Sequence, residues 1–436
     1  MIKFTQRFSE RALNFPDSPI RGLEVVAAEA RKRGVRIIPL NIGAPDTASP
    51  PEMSKSVAAY LATSDHVEYG PSAGDSELRE ARSRFYKDNL DLPIDPEEIL
   101  ITAGASEAME LAVYSITNPG DEILTPEPFF SSYLSTCYKH GTNLKTVPTR
   151  IEDGFHLVQV GETSKTAFDR ITSYISPQTK AIIWSSPSNP TGAVYKTEEL
   201  ELLYEVAKAH NLFLISDEVY RLLIFDEGIT TKKGFFRAPS IYDVVPKSER
   251  WRVLGLDSSS KEISFCGGRI GYLTLDKSFT PIILKNASVR ACPNILGQKA
   301  VERIDQVDNV YFSNNRRELK VRRDLVYDRL LGMQDIGIKV SPRPPEGAFY
   351  IPFELEKGMF AEKFCRWMLT DYPQMTENNT TVFLTPMRSG SGGFYVGDKA
   401  KGQNEVRIAY VRESQELIEA MDILRNAISI YRDISK

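Results

Sequence analysis

Short apolar runs alternate with longer segments of helical periodicity through the middle of the chain. Most of the longer segments place apolar residues at the spacing that forms one face of a helix. This alternation is typical of an α/β fold, in which helices cover both faces of a mostly parallel sheet. The predicted strands are residues 99–102, 122–125, 143–147, 180–185, 211–216 and 251–256, and the predicted helices are 52–63, 76–88, 105–116, 167–174 and 197–209.

The pattern changes after Gly297, and the rest of the chain predicts a smaller α+β domain. The N-terminal segment, with a predicted helix and a short strand, joins that domain. We therefore expect a large domain of residues 46–297 and a small domain of residues 1–45 with 298–436. The predicted elements of the small domain are helices at 17–34, 298–331 and 360–369, strands at 35–40, 347–353, 381–384 and 405–411, and a closing helix.

Composition limits the class of partner. The 54 basic and 58 acidic residues give a net charge of −4, which argues against nucleic acid or an anionic membrane as the main partner. No apolar run nears the roughly 20 residues that span a bilayer, and the N-terminus lacks a signal-peptide core, so we expect a cytoplasmic protein. The four cysteines and four histidines show no ligand spacing, which predicts neither a disulfide nor a metal site.

One lysine stands out by its position. Lys261 follows the apolar run 251–256 and three serines, and Arg269 lies eight residues further on among glycines. A lysine in this setting can form a Schiff base with an aldehyde cofactor, while Ser258, Ser260 and Arg269 bind the phosphate of that cofactor. A surface lysine in a Ser/Gly turn is the alternative that this segment alone leaves open.

Two other polar stretches follow predicted strands. Residues 187–192 read Pro-Ser-Asn-Pro-Thr-Gly and contain Asn189, and residues 216–220 read Ser-Asp-Glu-Val-Tyr and contain Asp217 and Tyr220. The order of these stretches and Lys261, each in a strand-then-turn setting, is hard to obtain by chance. They favour the catalytic interpretation of the lysine.

Two weaker signals occupy similar positions. Gly104, Ala105 and Ser106 open a predicted helix, where free N–H groups and the helix dipole attract phosphate, although a simple cap is the alternative. Phe130 or Phe129 follows a strand and offers a flat ring at the edge where open α/β sheets bind ligands.

Two Gly/Pro turns near the N-terminus suit ligand contacts. The turn at residues 41–46 contains Gly43, whose backbone could approach a ligand closely, and the turn at 68–74 contains Tyr69. Ordinary loop roles are the alternatives for both.

Taken together, the chain resembles class I and II aminotransferases, which are pyridoxal-phosphate enzymes of fold type I, the aspartate-aminotransferase-like fold. The resemblance runs from about Ser18 to the C-terminus. It implies an aminotransferase that moves an amino group between an L-amino acid and a 2-oxo acid by a ping-pong mechanism. Its carriers are Ser-Asn-Pro-Thr-Gly at 188–192, Asp-Glu-Val-Tyr at 217–220, Ser-x-Ser-Lys at 258–261 with Gly-x-Arg-x-Gly at 267–271, and Arg-Ile-Ala-Tyr at 407–410.

The resemblance also implies catalytic roles. Lys261 would hold pyridoxal 5′-phosphate as an internal aldimine and move the proton at the substrate α-carbon. Asp217 would keep the pyridine nitrogen protonated, and Tyr220 and Asn189 would hydrogen-bond the ring oxygen. Phe130 would stack on the ring where other members carry a tyrosine or tryptophan.

Binding roles follow from the same resemblance. Arg407 would bind the substrate α-carboxylate as a planar fork, with Asn189 nearby, and Gly43 would close over the substrate through its backbone. Tyr69 would complete the site of the partner subunit in a homodimer. The residues that would hold the phosphate are Gly104, Ala105, Ser106, Ser258, Ser260 and Arg269.

The amino-acid substrate stays open at this point. Arg290 is a candidate for a second substrate carboxylate, and a solvated helix arginine is the alternative. Residues 386–402, with five glycines, predict a loop that either shapes the entrance or is indifferent to function. A pyridoxal-phosphate lyase acting on a β- or γ-substituted amino acid is an alternative activity. A noncatalytic cofactor-binding regulator usually adds a DNA-binding domain, and none is visible.

Overall fold

A seven-stranded sheet organises the larger part of the chain in the computed structural model, which describes residues 7–434 except Ser391 and Lys399. The strands are β1 (Arg36–Pro39), β2 (Ile99–Thr102), β3 (Glu122–Glu127), β4 (Asn143–Pro148), β5 (Thr179–Ser185), β6 (Phe213–Asp217), β7 (Ile229–Thr230), β8 (Phe236–Arg237), β9 (Val253–Ser258), β10 (Gly271–Thr274), β11 (Lys339–Val340), β12 (Tyr350–Glu354), β13 (Thr380–Phe383), β14 (Thr385–Pro386) and β15 (Glu405–Ala409). The central sheet has the order β2-β10-β9-β6-β5-β3-β4. Its pairs are parallel except those of β10, which is antiparallel to β2 and β9. The predicted mostly parallel sheet is therefore confirmed.

Helices cover both faces of this sheet. Successive strand residues point to opposite faces, and Ile182 and Ile183 accordingly belong to two different buried clusters. None of the described helices is long and apolar enough to cross a membrane. The helices are α1 (Glu10–Leu13), α2 (Glu24–Lys32), α3 (Pro51–Thr63), α4 (Ser76–Arg84), α5 (Ala105–Ile116), α6 (Ser132–His140), α7 (Ser164–Thr172), α8 (Thr197–Ala209), α9 (Ile241–Val244), α10 (Ser259–Glu262), α11 (Thr280–Ala287), α12 (Ile295–Val301), α13 (Asn309–Leu331), α14 (Ala361–Thr370) and α15 (Ser414–Ile434).

A smaller sheet forms the α+β part of the fold. It has the antiparallel order β11-β12-β15-β14, and β1 pairs in parallel with β13 beside it. Apolar residues of α13, α14 and α15 share one buried cluster with these strands. The predicted strands at 381–384 and 405–411 correspond to β13 and β15.

Two helix predictions are corrected by the structure. The helix expected at 298–331 is interrupted, because the Asp308 side chain accepts a hydrogen bond from the Val310 N–H (2.7 Å) and starts α13 anew. The helix expected from residue 17 begins only at Glu24. The preceding segment turns instead, with the Arg21 N–H donating to the Ser18 carbonyl (3.3 Å).

The topology decides where the predicted motifs meet. Strands β2, β3, β5, β6 and β9 run in the same direction and end at one edge of the central sheet. Each motif selected in the central part of the sequence lies at the end of one of these strands or in the turn that follows it. Open α/β sheets bind ligands at this edge.

Candidate active site

A cavity of about 610 Å³ lies at this edge, between the central sheet and strands β12 and β15 of the smaller sheet. It gathers most of the residues that the sequence selected: Gly43, Ala105, Ser106, Phe130, Asn189, Asp217, Tyr220, Ser258, Ser260, Lys261, Arg269 and Arg407. Several residues that the sequence did not single out also line it, among them Ile20, Arg21, Ile42, Met109, Cys266 and Tyr350.

The amine of Lys261 faces this cavity without a carboxylate partner among the described residues. Its Nζ donates a hydrogen bond to the Gly43 carbonyl (2.6 Å) and lies 3.8 Å from Cys266 Sγ. The carboxylates nearest in sequence, Asp257 and Glu262, are both paired with the buried Arg82 at 2.5 Å. The lysine is therefore left available for covalent chemistry.

Asp217 is buried at the end of β6 with one oxygen unused. Tyr133 donates its hydroxyl to Oδ2 (3.0 Å), while Oδ1 has no hydrogen-bond donor. Burial raises the pKa of Asp217 to about 7 in this state. A buried carboxylate oxygen without a donor is costly, so this side chain fits a ligand that brings a protonated nitrogen.

Arg407 is a buried cation without an anion. Its Nη1 donates to Asn189 Oδ1 (2.7 Å) and its Nη2 to the Asn41 carbonyl (2.6 Å), while Nε has no partner. The guanidinium lies 4.4 Å from the Tyr350 ring centroid and 5.5 Å from that of Phe394. Burial lowers the pKa of Arg407, because no carboxylate of the described chain pairs with it. The geometry suits a bound carboxylate.

A second anion site surrounds the start of α5. Gly104 caps this helix with a φ of +87°, and the first N–H groups of the helix have no partner within it. Arg269 donates from Nη2 to the Ala103 carbonyl (3.1 Å) and forms no ion pair within residues 7–434, as far as the structure describes them. The hydroxyls of Ser258 and Ser260 are 2.8 Å apart beside it. A phosphate fits this combination of helix N-terminus, hydroxyls and arginine.

Aromatic groups form the remaining walls. The Tyr220 and Tyr350 hydroxyls are 2.9 Å apart. Phe130 lines the cavity, whereas Phe129 is buried outside its lining. A Cβ at Gly43 would lie 2.0 Å from the Tyr350 hydroxyl, so this position accepts only glycine.

Two selected side chains do not reach this cavity. Arg290 pairs with Glu107 at 2.5 Å and donates to the Ile101 carbonyl (2.8 Å), so it is neither solvated nor part of the lining. Tyr69 is 88% exposed and also lies outside the lining. Within the described chain, no cluster of three or more histidine, cysteine or acidic residues could hold a metal ion.

The loop at 386–402 is folded against the site, apart from Ser391 and Lys399, which lie outside the described residues. Phe394 is fully buried, and its carbonyl accepts a hydrogen bond from the Phe129 N–H (3.0 Å). Lys401 forms an ion pair with Glu127 at the end of β3. The loop thus connects the smaller sheet to the central one beside Arg407.

Comparison with known proteins agrees with this geometry. Residues 35–383 match the family described as aminotransferase class I and II. The chain belongs to this family. It is 30% identical to a probable aspartate aminotransferase of Methanocaldococcus jannaschii over 425 residues, which cover 96% of this chain and 98% of that protein.

Two further comparisons support the same assignment. A probable N-acetyl-LL-diaminopimelate aminotransferase of Bacillus subtilis is 32% identical over 394 residues, covering 89% of this chain and 88% of the relative. The solved structure of the Thermus thermophilus aspartate aminotransferase with maleate superposes with a TM-score of 0.80 at 25% identity, covering 96% and 99% of the two chains. The protein is thus an aminotransferase that depends on pyridoxal 5′-phosphate.

The residues of this aminotransferase fit that cofactor. Asp217 Oδ1 is a buried acceptor without a donor, as a protonated pyridine nitrogen requires. A side chain at Gly104 would displace the arginine of this cradle, since a Cβ there would lie 2.6 Å from Arg269 Nη2. Both features suit a flat cationic ring that carries a phosphate.

Replacing Gly104 by alanine should therefore weaken cofactor binding. The added Cβ displaces Arg269 and fills the cradle, and we expect the dissociation constant for pyridoxal phosphate to rise at least about tenfold. Gly120→Ala is a matched control, because Gly120 has a similar φ of +94° but open space around its Cβ position. Spectroscopic titration of both apoproteins measures the effect. Equal affinities in the two variants would contradict the assignment of the cradle.

Proposed function

We propose that this aminotransferase moves an amino group between an L-amino acid and a 2-oxo acid in a ping-pong cycle at the cavity described above. One observation carries the proposal. The same cavity is lined by an amine without a carboxylate partner on Lys261, a half-satisfied carboxylate on Asp217 and a buried guanidinium without an anion on Arg407.

The chain supplies a separate group for each part of the cofactor. Pyridoxal phosphate, when bound, supplies an aldehyde and an electron-accepting ring. Asp217 Oδ1 would accept the hydrogen bond of the ring nitrogen and hold its proton by charge. Tyr220 and Asn189 would bind the ring oxygen, and Phe130 would stack on the ring. The groups that would hold the phosphate are Ser258, Ser260, Arg269 and the helix start at Gly104, Ala105 and Ser106.

Lys261 and Arg407 act on the substrate. Arg407 binds its α-carboxylate bidentately, which fixes the α-carbon relative to Lys261. Lys261 Nζ then removes the proton from the α-carbon of the amino acid. In the second half-reaction it returns a proton to the α-carbon that comes from the 2-oxo acid. The Gly43 carbonyl, which accepts a hydrogen bond from Nζ, closes the cavity beside the substrate.

A single carboxylate site accounts for the ping-pong order. The amino acid and the 2-oxo acid share an α-carboxylate, and Arg407 is the buried arginine of this cavity. Both compounds must therefore occupy the same position in turn. The names of the relatives differ in amino acid, from aspartate to N-acetyl-LL-diaminopimelate, so family membership alone does not name the substrate.

The proposed large domain is residues 46–297, and the proposed small domain is residues 1–45 with 298–436. The buried clusters of the central and smaller sheets largely follow this division, and Val219, Tyr220, Leu223 and Phe225 of the large domain pack in the cluster of the smaller sheet. Ala300 to Phe312 pack with the central sheet and form the connection between the two. A cytoplasmic location stays a prediction from the sequence.

A half-reaction tests the proposed function. When one amino acid is added to the holoprotein without a 2-oxo acid as acceptor, the absorbance spectrum of the cofactor should change. One equivalent of the corresponding 2-oxo acid should be released per site. We expect Lys261→Ala to slow this conversion by at least about 10³-fold, and Lys285→Ala, an exposed control, to leave it unchanged. Borohydride reduction followed by peptide mapping should label Lys261.

Other outcomes of this experiment are equally informative. Repeated release of ammonia and pyruvate from a β-substituted amino acid would indicate a lyase. A borohydride label on another lysine would remove Lys261 from the proposed role.

We also propose a two-fold homodimer in which Tyr69 contributes to the phosphate site of the partner. Tyr69 is 88% exposed, and the large apolar side chains of Leu61, Val67 and Val289 are exposed by 47%, 47% and 85%. Exposed apolar side chains of this size support a surface that another subunit covers. Each site would then be incomplete in a single chain.

Subunit exchange tests the dimer proposal. Lys261→Ala and a strongly impaired Tyr69 variant should each be inactive. A mixture of the two should regain up to about a quarter of wild-type activity, because each heterodimer contains one site free of both lesions. Native mass spectrometry of differently tagged subunits would verify exchange. No recovery after proven exchange would exclude Tyr69 from the partner's site.

A further inference from the structure

The charged groups of the cavity leave one side chain without a role. Its charged lining consists of Arg21, Asp217, Lys261, Arg269 and Arg407. The proposed function uses the last four for the ring nitrogen, the aldehyde, the phosphate and the α-carboxylate. Arg21 remains as a fourth cation in the lining of this cavity, and no part of the cofactor and no α-carboxylate is assigned to it.

Hydrogen bonds connect Ile20, the residue before Arg21, to the proposed α-carboxylate site. Arg407 Nη2 donates to the Asn41 carbonyl (2.6 Å), and Asn41 Nδ2 donates to the Ile20 carbonyl (3.0 Å). Ile20 also packs against the cluster that contains Phe394, the ring beside the Arg407 guanidinium. The residue before Arg21 is therefore fixed relative to Arg407 by two independent contacts.

The side chain of Arg21 has no acidic partner in the part of the chain that the structure describes. Two arginines further along the N-terminal segment do have one: Arg31 pairs with Glu24 at 2.8 Å, and Arg36 pairs with Glu419. Arg290, the other candidate for a distal carboxylate, is neutralised by Glu107. Arg21 is also exposed, so its charge is available to a ligand that enters the cavity.

We infer that Arg21 binds an acidic group at the end of the substrate side chain. This inference rests on the proposed function, because it assumes that Arg407 holds the α-carboxylate. The enzyme then prefers 2-amino dicarboxylic acids and the corresponding 2-oxo dicarboxylic acids over neutral amino acids of the same size. Arg21 determines specificity and takes no part in proton transfer.

Substrate pairs that differ only in charge test this inference. For Arg21→Gln holoenzyme, kcat/KM for aspartate should fall about 10- to 100-fold, as the loss of a charge-assisted hydrogen bond predicts. The value for asparagine, which has the same shape without the charge, should change less than threefold. Arg21→Lys should retain part of the preference, because it keeps the charge without the bidentate fork.

Arg33→Gln provides the matched control. Arg33 is an exposed arginine at the end of α2 without an acidic partner, and it lies outside the cavity lining. The values of kcat/KM for aspartate and for asparagine should both stay at the wild-type level in this variant. Melting temperatures of all variants show whether a change in rate reflects loss of folded protein.

Binding of unreactive acids separates this inference from the proposed function. Calorimetry with wild-type holoenzyme should show tighter binding of succinate than of butanoate, and Arg21→Gln should abolish that difference. If Arg21→Gln weakened the binding of succinate and butanoate equally, or lowered kcat/KM equally for aspartate and asparagine, the role of Arg21 would be structural. Either result would overturn the inference. Unchanged succinate binding would overturn it as well. Failure of the wild type to transaminate any amino acid would refute the proposed function, while the comparison of the two acids still decides the role of Arg21.

Discussion

A buried positive charge that lacks a negative partner is the constraint on which this site depends. Removing a guanidinium from water costs several kcal/mol, and buried arginines are normally stabilised by carboxylates. Arg82 follows this rule through Asp257 and Glu262, whereas the contacts of Arg407 are neutral amide, carbonyl and hydroxyl acceptors and two aromatic rings. The fold thus holds one cation ready for an anion that it does not itself supply.

Other groups of the site also lack part of their ion-pair or hydrogen-bond partners within the chain. Arg82 occupies the two carboxylates that flank Lys261, which leaves the lysine amine without an ionic partner. Tyr133 satisfies one oxygen of Asp217 and leaves the other for a ligand. The carboxylates around the lysine are therefore ion-paired, whereas Lys261, Asp217 and Arg407, which line the cavity, have no ion-pair partner among the described residues. Such an arrangement orients the reacting groups before the ligand arrives, so little reorganisation is needed during the reaction.

The sequence predicted the parts of the site that follow strands, because parallel strands bring their carboxyl ends to one edge. The motifs at Asn189, Asp217 and Lys261 needed no tertiary information beyond this rule. Tyr133, Tyr350 and Asn41 could not be found in this way, since their roles arise from contacts between distant segments. Arg21 lay inside the helix predicted from residue 17, whereas the observed helix starts at Glu24, three residues after Arg21. The break before α13 had a local signal, the capping Asp308, which the charged helical periodicity around it obscured.

A comparison of two buried arginines tests the central claim most directly. Arg82→Met leaves the buried Glu262 without a cation and leaves Asp257 with Arg221 as its remaining ion-pair partner, so it should lower the free energy of unfolding by about 3–5 kcal/mol. Arg407→Met leaves only neutral acceptors, so it should cost less than about 1.5 kcal/mol and abolish detectable binding of succinate to the holoenzyme. Urea unfolding at one fixed protein concentration, together with calorimetry, measures both effects. The account would be contradicted if Arg407→Met destabilised the protein as much as Arg82→Met, or if that variant still bound succinate with wild-type affinity.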